Sequence, residues 1–210
     1  MKGLLLKDMY ELIKQCKFIL LFCVVYVFLS YTESGYFFLA FSIIFFSLLP
    51  TTIMALDERS KWESYAITMP YTRKEMVLSK YILSLGGVIF MSVLYEFVNI
   101  IIYFINSSYA MSIVDSFNII LPFCLMAIII SSINLPINFK FGAEKGRLGT
   151  ILICVIIGVI GGGLFSQSSG SVELINYFMN IPSFVYLVLI ALLWIVSYFV
   201  SVKIYEKRAL

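Results

Sequence analysis

Histidine is missing from the sequence altogether. Its absence removes the HExxH zinc site, the Ser-His-Asp triad and any histidine proton relay. No GxxxxGK[ST] stretch occurs, and the triplet Gly161, Gly162, Gly163 sits inside an apolar run without the strand and lysine that a phosphate-binding loop needs. The chain therefore carries no ATP-binding motif of its own. A GxSxG elbow is also lacking, and the few polar residues within the apolar runs make no nucleophile and base pair. Cys16, Cys23, Cys124 and Cys154 form no CxxC pair and read as small buried hydrophobes. Neither catalysis nor a resident cofactor or metal is expected of this chain.

Charge is scarce as well. Only 13% of the residues are charged, against 61% hydrophobic and 17% aromatic, with a mean hydropathy of +1.00. Soluble domains carry about 25% charged residues, so this composition belongs to a membrane protein. Crossing roughly 30 Å of hydrocarbon takes about 20 apolar residues in a helix. Six runs approach that length, at about 17–31, 36–56, 81–105, 117–135, 148–165 and 183–202. The fold expected is an all-α membrane protein, one domain over 1–210 with six transmembrane helices.

Positively charged loops stay on the cytoplasmic side, which tests that division. All 15 Lys and Arg fall in the segments assigned inside: Lys2 to Lys17, Arg59 to Lys80, Lys140 to Arg147 and Lys203 to Arg208. The segments assigned outside hold Glu33, Asp115 and Glu173 instead. Both termini are thus expected in the cytoplasm of a multi-pass plasma-membrane protein. The net charge of +3 follows from this topology and from leaflet electrostatics, so nucleic acid is not an expected partner whereas membrane lipid is. Asp8 and Glu11 interrupt the first stretch, so the first span reads as a signal anchor and no cleaved signal peptide is expected.

Residues 1–16 set Leu5, Met9, Leu12 and Ile13 on one helical face and Lys7, Asp8, Glu11 and Lys14 on much of the other. That is the pattern of an amphipathic helix at the cytoplasmic interface, or of a cytoplasmic extension of the first span. In the third span Ser92, Glu96, Asn99 and Tyr103 share a face. A carboxylate at that depth must turn inward, either to line a translocation path or to bond a neighbouring helix. Gly158 and Gly162 in the fifth span make a GxxxG pair suited to close helix packing, and 166–182 holds a short candidate outer helix.

The stretch "LDERSKWESYAITMPYTRKEMVLSKY", residues 56–81, concentrates charge that the rest of the chain avoids. A helix is expected over 57–67, with Trp62, Tyr65, Ala66 and Met69 on one face. Pro70 breaks it, and Thr72 with Glu75 forms a capping box that opens the helix of the third span. A plain connection needs only about two to eight residues and has no use for Trp and Tyr set among charges. Those residue types anchor binding surfaces, although an interfacial helix resting its aromatics among headgroups would show the same pattern.

The residues "DERSKW", Pro70 and "RKEMVLSKY" resemble the first cytoplasmic loop of six-span permease subunits of type-two ABC exporters, most nearly the Firmicute group that includes exporters of phenol-soluble modulins. The resemblance implies that 57–67 is a coupling helix docking on a nucleotide-binding subunit through Asp57, Glu58, Arg59, Lys61, Trp62, Glu63 and Tyr65. It also implies an ABC ATP-binding partner that holds ATP and Mg2+ and a second permease, as homodimer or paralogous heterodimer. The expected cargo is an amphipathic peptide, an antimicrobial or a lipid-like compound. An ion-coupled secondary transporter would instead show paired broken helices in two repeats, which the sequence lacks. A non-transporting anchor or sensor subunit also accounts for the loop.

Overall fold

A computed structural model describes residues 2–15, 21, 25, 35–66, 68–105, 113–146, 148–149 and 183–207. The described residues are helical, with no strand among them. In chain order the helices are α1 Lys2–Gln15, α2 Gly35–Ser47, α3 Leu49–Arg59, α4 Trp62–Ala66, α5 Arg73–Ile105, α6 Ile113–Phe141 and α7 Ser183–Lys207. Among the described residues, four stretches are long and apolar enough to cross a membrane: Phe38–Arg59, Arg73–Phe104, Asp115–Phe141 and Val188–Lys207. They coincide with the second, third, fourth and sixth expected spans. All of the expected first span except Leu21 and Val25, nearly all of the fifth with its GxxxG pair, and the 166–182 segment lie outside the described residues.

α2 and α3 form almost one rod, interrupted by a turn at Leu48 where Pro50 enters the first turn of α3. Proline has no N–H to give, which suits it to a helix start and not to an unbroken interior. α5 begins at the expected box: the Thr72 N–H donates to the Glu75 carboxylate at 2.9 Å, and the Glu75 N–H donates to Thr72 Oγ1 at 3.3 Å. Its 33 residues make a rod of roughly 50 Å at 1.5 Å each, longer than the hydrocarbon is thick, so α5 extends well beyond it or tilts.

α5 and α6 sit at the centre, with α2 packed on both and α7 on both from another side. Lipid offers no hydrophobic drive for helices to associate, so small residues and hydrogen bonds do the joining. A Cβ on Gly87 of α5 would stand 2.7 Å from the Phe46 carbonyl oxygen, and Ser47 Oγ reaches the Ala127 carbonyl at 3.0 Å. Further along, Asn134 of α6 donates to Thr51 Oγ1 at 3.2 Å. On the α7 side the Tyr81 hydroxyl meets Ser197 Oγ at 2.6 Å and Ser201 Oγ at 2.8 Å, and its ring stacks edge-on against Trp194.

The helix expected over 57–67 is in two pieces. α3 carries the span through Arg59, the Ser60 N–H closes it on the Leu56 carbonyl at 2.9 Å, and Lys61 takes a left-handed φ of 53° before α4 begins. Asp57 and Glu58, held by partners in the bundle, fix the end of α3, so the chain must turn before Trp62. Ile67 lies outside the described residues.

Candidate functional site

Asp57 ends the second span only 6% exposed, and a buried carboxylate must be paired. Its partners are Lys80 of α5, at 2.8 Å, and Lys7 of α1. Lys80, 8% exposed, also donates to Asp8 at 2.9 Å, and Lys7 reaches Asp8 at 3.4 Å and Glu11 at 3.2 Å. Two ammoniums thus tie α1, α3 and α5 together through three carboxylates. Burial alone would lower the pKa of Lys7, but the charges of Asp57, Asp8 and Glu11 outweigh it and hold Lys7 above its ordinary 10.5. Trp62 extends the cluster to α4, its ring centroid 4.7 Å from the Lys7 ammonium. Oxygens of Asp8, Glu11 and Asp57 lie within 4.8 Å of one another, spacing that suits a cation. Here the lysine ammoniums already serve that role.

The expected location of Asp8 on the outward polar face of α1 is corrected by this cluster. Leu4, Asp8 and Leu12, spaced by one turn each, form the buried face, and Asp8 is 1% exposed because Lys80 meets it there. Met9 and Ile13 of the expected apolar stripe are exposed.

The other residues expected to contact a partner divide between inward and outward roles. The carboxylate of Glu58 accepts the Ala143 N–H at 2.9 Å, just after α6 ends at Phe141 and Gly142 takes φ +85°. A side chain at Gly142 would be strained and would press on that carboxylate. Arg59 pairs with Glu144 at 3.7 Å in the open, a contact worth little. Lys61 is exposed, Trp62 is half-buried toward α1, and Tyr65 is 64% exposed on α4 while its neighbour Ala66 is buried. The Glu63 side chain lies outside the described ones. Arg73, at the head of α5, donates to the carbonyls of Tyr205 and Glu206 at 3.1 and 2.9 Å, capping the last turn of α7.

Ser92, Glu96 and Asn99 face the bundle, and Tyr103 does not. Ser92 Oγ lies 3.1 Å from Cys124 Sγ, Glu96 accepts from Ser116 Oγ at 2.8 Å and Asn99 is buried, whereas Tyr103 is 60% exposed. The first two contacts join α5 to α6. Lys7, Asp8 and Lys80 are the site residues that sequence reasoning missed. A signal was present for Asp8, a charge set one turn from Leu4 and one turn from Leu12.

No curated protein and no solved structure matches the chain. Residues 3–206 match the sequence model of the family described as "ABC-2 family transporter protein". That match runs from α1 to the last turn of α7, and it takes in the charged cluster and all four described spans. The chain is a multi-pass membrane protein that belongs to the ABC-2 transporter family, as a permease component of an ABC transporter.

Proposed function

We propose that this permease subunit works in an ATP-driven exporter and takes its motion from a separate ATPase docked on α4. The observation that carries the reading is the state of the α4 turn. Tyr65 stands free on its outer side, while Trp62 secures its inner side to the Lys7, Asp57 and Lys80 cluster. Members of the family generally work with an ABC ATP-binding subunit, which is consistent with a chain lacking a phosphate loop. Tyr65 and Met69 are the apolar anchors in this reading, with the exposed Lys61 and Arg59 as charged neighbours. Asp57, Glu58 and Trp62 act behind that surface as its support.

ATP and Mg2+ bind the partner, whose closure presses on α4. The load passes through Trp62 and Lys7 to α1, and through Asp57 and Lys80 to α3 and α5. Charge pairs buried among packed helices transmit such a displacement as rigid-body motion. Two permeases and two ATPases make the working unit, and the cargo is an amphipathic peptide, antimicrobial or lipid-like molecule, for which the aromatic, charge-poor spans are suited. Ser92 and Glu96 join α5 to α6 beside the path, and Asn99 is buried on the same face.

Pull-down of the ATPase tests the docking. Truncating an aromatic anchor typically costs about 2 kcal/mol, roughly thirtyfold in affinity. Tyr65→Ala is expected to lose that much ATPase binding with no change in the thermal midpoint of the detergent-purified permease. Trp62→Ala is expected to lower both. Equal ATPase capture by wild type and Tyr65→Ala, with turnover still coupled to transport, would sink the proposal.

A further inference from the structure

On the reading that an ATPase docks at α4, we infer that Arg73 is the positioning residue through which that motion reaches α7. Its guanidinium clamps the last turn of α7 to the head of α5, so the two helices tilt as one body. Among the described helices, the backbone of α7 comes close only to those of α5 and α6. A push on α4 therefore reaches α7 through one of these two, and α5 is the helix that follows α4 in the chain.

The connection from α4 to α5 leaves little slack. Thr68 donates its N–H to the Tyr65 carbonyl at 3.1 Å and its hydroxyl to the same oxygen at 2.7 Å. The Met69 N–H donates to the Ala66 carbonyl at 3.2 Å, and the Tyr71 N–H closes on the Met69 carbonyl across Pro70 at 2.7 Å. Thr72 then caps α5, whose first residue is Arg73. A run of closed turns thus carries a displacement of Tyr65 to Arg73.

Local rules make position 73 a poor place for a cation, because the first turn of a helix is the positive end of its dipole. The last turn of α7 offers what α5 does not: carbonyls with no partner inside their own helix, at the negative end of its dipole. Arg73 donates to two of them, Tyr205 at 3.1 Å and Glu206 at 2.9 Å, and is half-buried, whereas Lys74 beside it is exposed. Tyr81 attaches α5 to α7 a second time, through Ser197 and Ser201. Arg73 and Tyr81 stand about 12 Å apart along α5 at 1.5 Å per residue. An attachment at Tyr81 alone leaves α7 a pivot, and the one at Arg73 removes it. The Tyr205 ring also rests on Phe139 of α6, but apolar contact has no direction, whereas hydrogen bonds fix the register.

The test places spin labels on the full-length permease, its native cysteines replaced, through Lys74→Cys and Lys203→Cys, both positions being exposed. Distances are measured by pulsed EPR in nanodiscs, for the permease alone and with the ATPase trapped by ATP and vanadate. Wild type should give one narrow distance that trapping leaves unchanged. Arg73→Met loses two charge-assisted donors, which should shift the equilibrium away from the clamped arrangement by about tenfold or more. Its distribution should broaden, and trapping should now change the distance, because α5 moves and α7 stays behind. Arg73→Lys keeps a donor for the carbonyls and should restore the wild-type behaviour. Should Arg73→Met fail to fold, Arg73→Gln, with one amide group on a shorter stem, decides in its place. The inference is overturned if wild type changes distance on trapping, or if Arg73→Met behaves as wild type. It is equally overturned if Arg73→Met broadens the distribution and lowers the thermal midpoint but trapping leaves the distance unchanged, the mark of a structural cap alone. Failure of wild type to capture the ATPase would defeat the docking reading, and this inference with it. Capture followed by any of the other outcomes defeats the inference alone.

Discussion

Lys80 illustrates how much one side chain can hold. It lies almost two turns into α5, is nearly fully buried, and donates to carboxylates from two other helices. Removing one member of a buried ion pair strands the other, at a cost of about 3–5 kcal/mol. Lys80→Ala should therefore lower the thermal midpoint in detergent sharply. Combining Lys80→Met with Asp57→Asn should cost less than the two single changes added together, since each then removes a charge the other would have left alone. Simple additivity would mean that the two do not interact. Lys7 adds a pH signature of known sign. Because its folded pKa is raised, its contribution is complete below the unfolded value near 10.5 and fades only as pH rises through the higher folded value. Between pH 7 and 9 its share of the stability should be constant. Glu96 is a smaller case, an acceptor for the Ser116 hydroxyl at 2.8 Å. Glu96→Gln keeps an acceptor and should be nearly neutral, while Glu96→Leu should cost about 1–2 kcal/mol in the same melt. A silent Glu96→Leu would remove the contact from any account of stability or transport.

At the level of the helix, two neighbouring glycines of α5 should respond in opposite ways. Gly87→Ala places a methyl 2.7 Å from the Phe46 carbonyl, backbone that cannot swing aside, and should destabilise by about 1–3 kcal/mol. Gly86→Ala meets nothing and should gain up to about 1 kcal/mol from helix propensity. Equal melting of the two variants would show that α2 and α5 are not in close contact there. Thr72→Ala should cost about 1 kcal/mol by removing the cap of α5. That cap was legible in the sequence because all its parts lie within four residues. So were the second, third, fourth and sixth spans, because hydropathy is summed locally. The break at Ser60 and Lys61 was not, since local preference favours a continuous helix and the chain turns only because Asp57 and Glu58 are fixed by distant partners. Lys80 and Asp8 are 72 positions apart, and no periodicity within either helix reports such a pairing. Tyr65 and Trp62 were legible as unusual residues, but their opposite orientations followed from the position of Lys7.

Across the whole molecule, the charged ends of the helices gather at one end of the bundle. Asp57 joins the end of α3 to α1, Glu58 joins it to the turn after α6, and Arg73 joins the start of α5 to the end of α7. Lysines and arginines of four separate segments therefore share one end, the end that the positive-inside rule would assign to the cytoplasm. α1 and the last turn of α7 both belong to that end, which requires an even number of crossings between them. The prediction is six, with both termini cytoplasmic. With the native cysteines replaced, cysteine introduced by Ser107→Cys or Ser169→Cys should react with an impermeant maleimide added to intact cells. Ser60→Cys should react only after the cells are opened, although Ser60 is exposed in the structure and chemically accessible. The contrast between Ser60→Cys before and after permeabilisation separates sidedness from burial, which a single labelling experiment would confuse. Labelling of Ser60→Cys in intact cells would place α4 on the outer face, where no ATPase could reach Tyr65, and both the topology and the docking proposal would fall together.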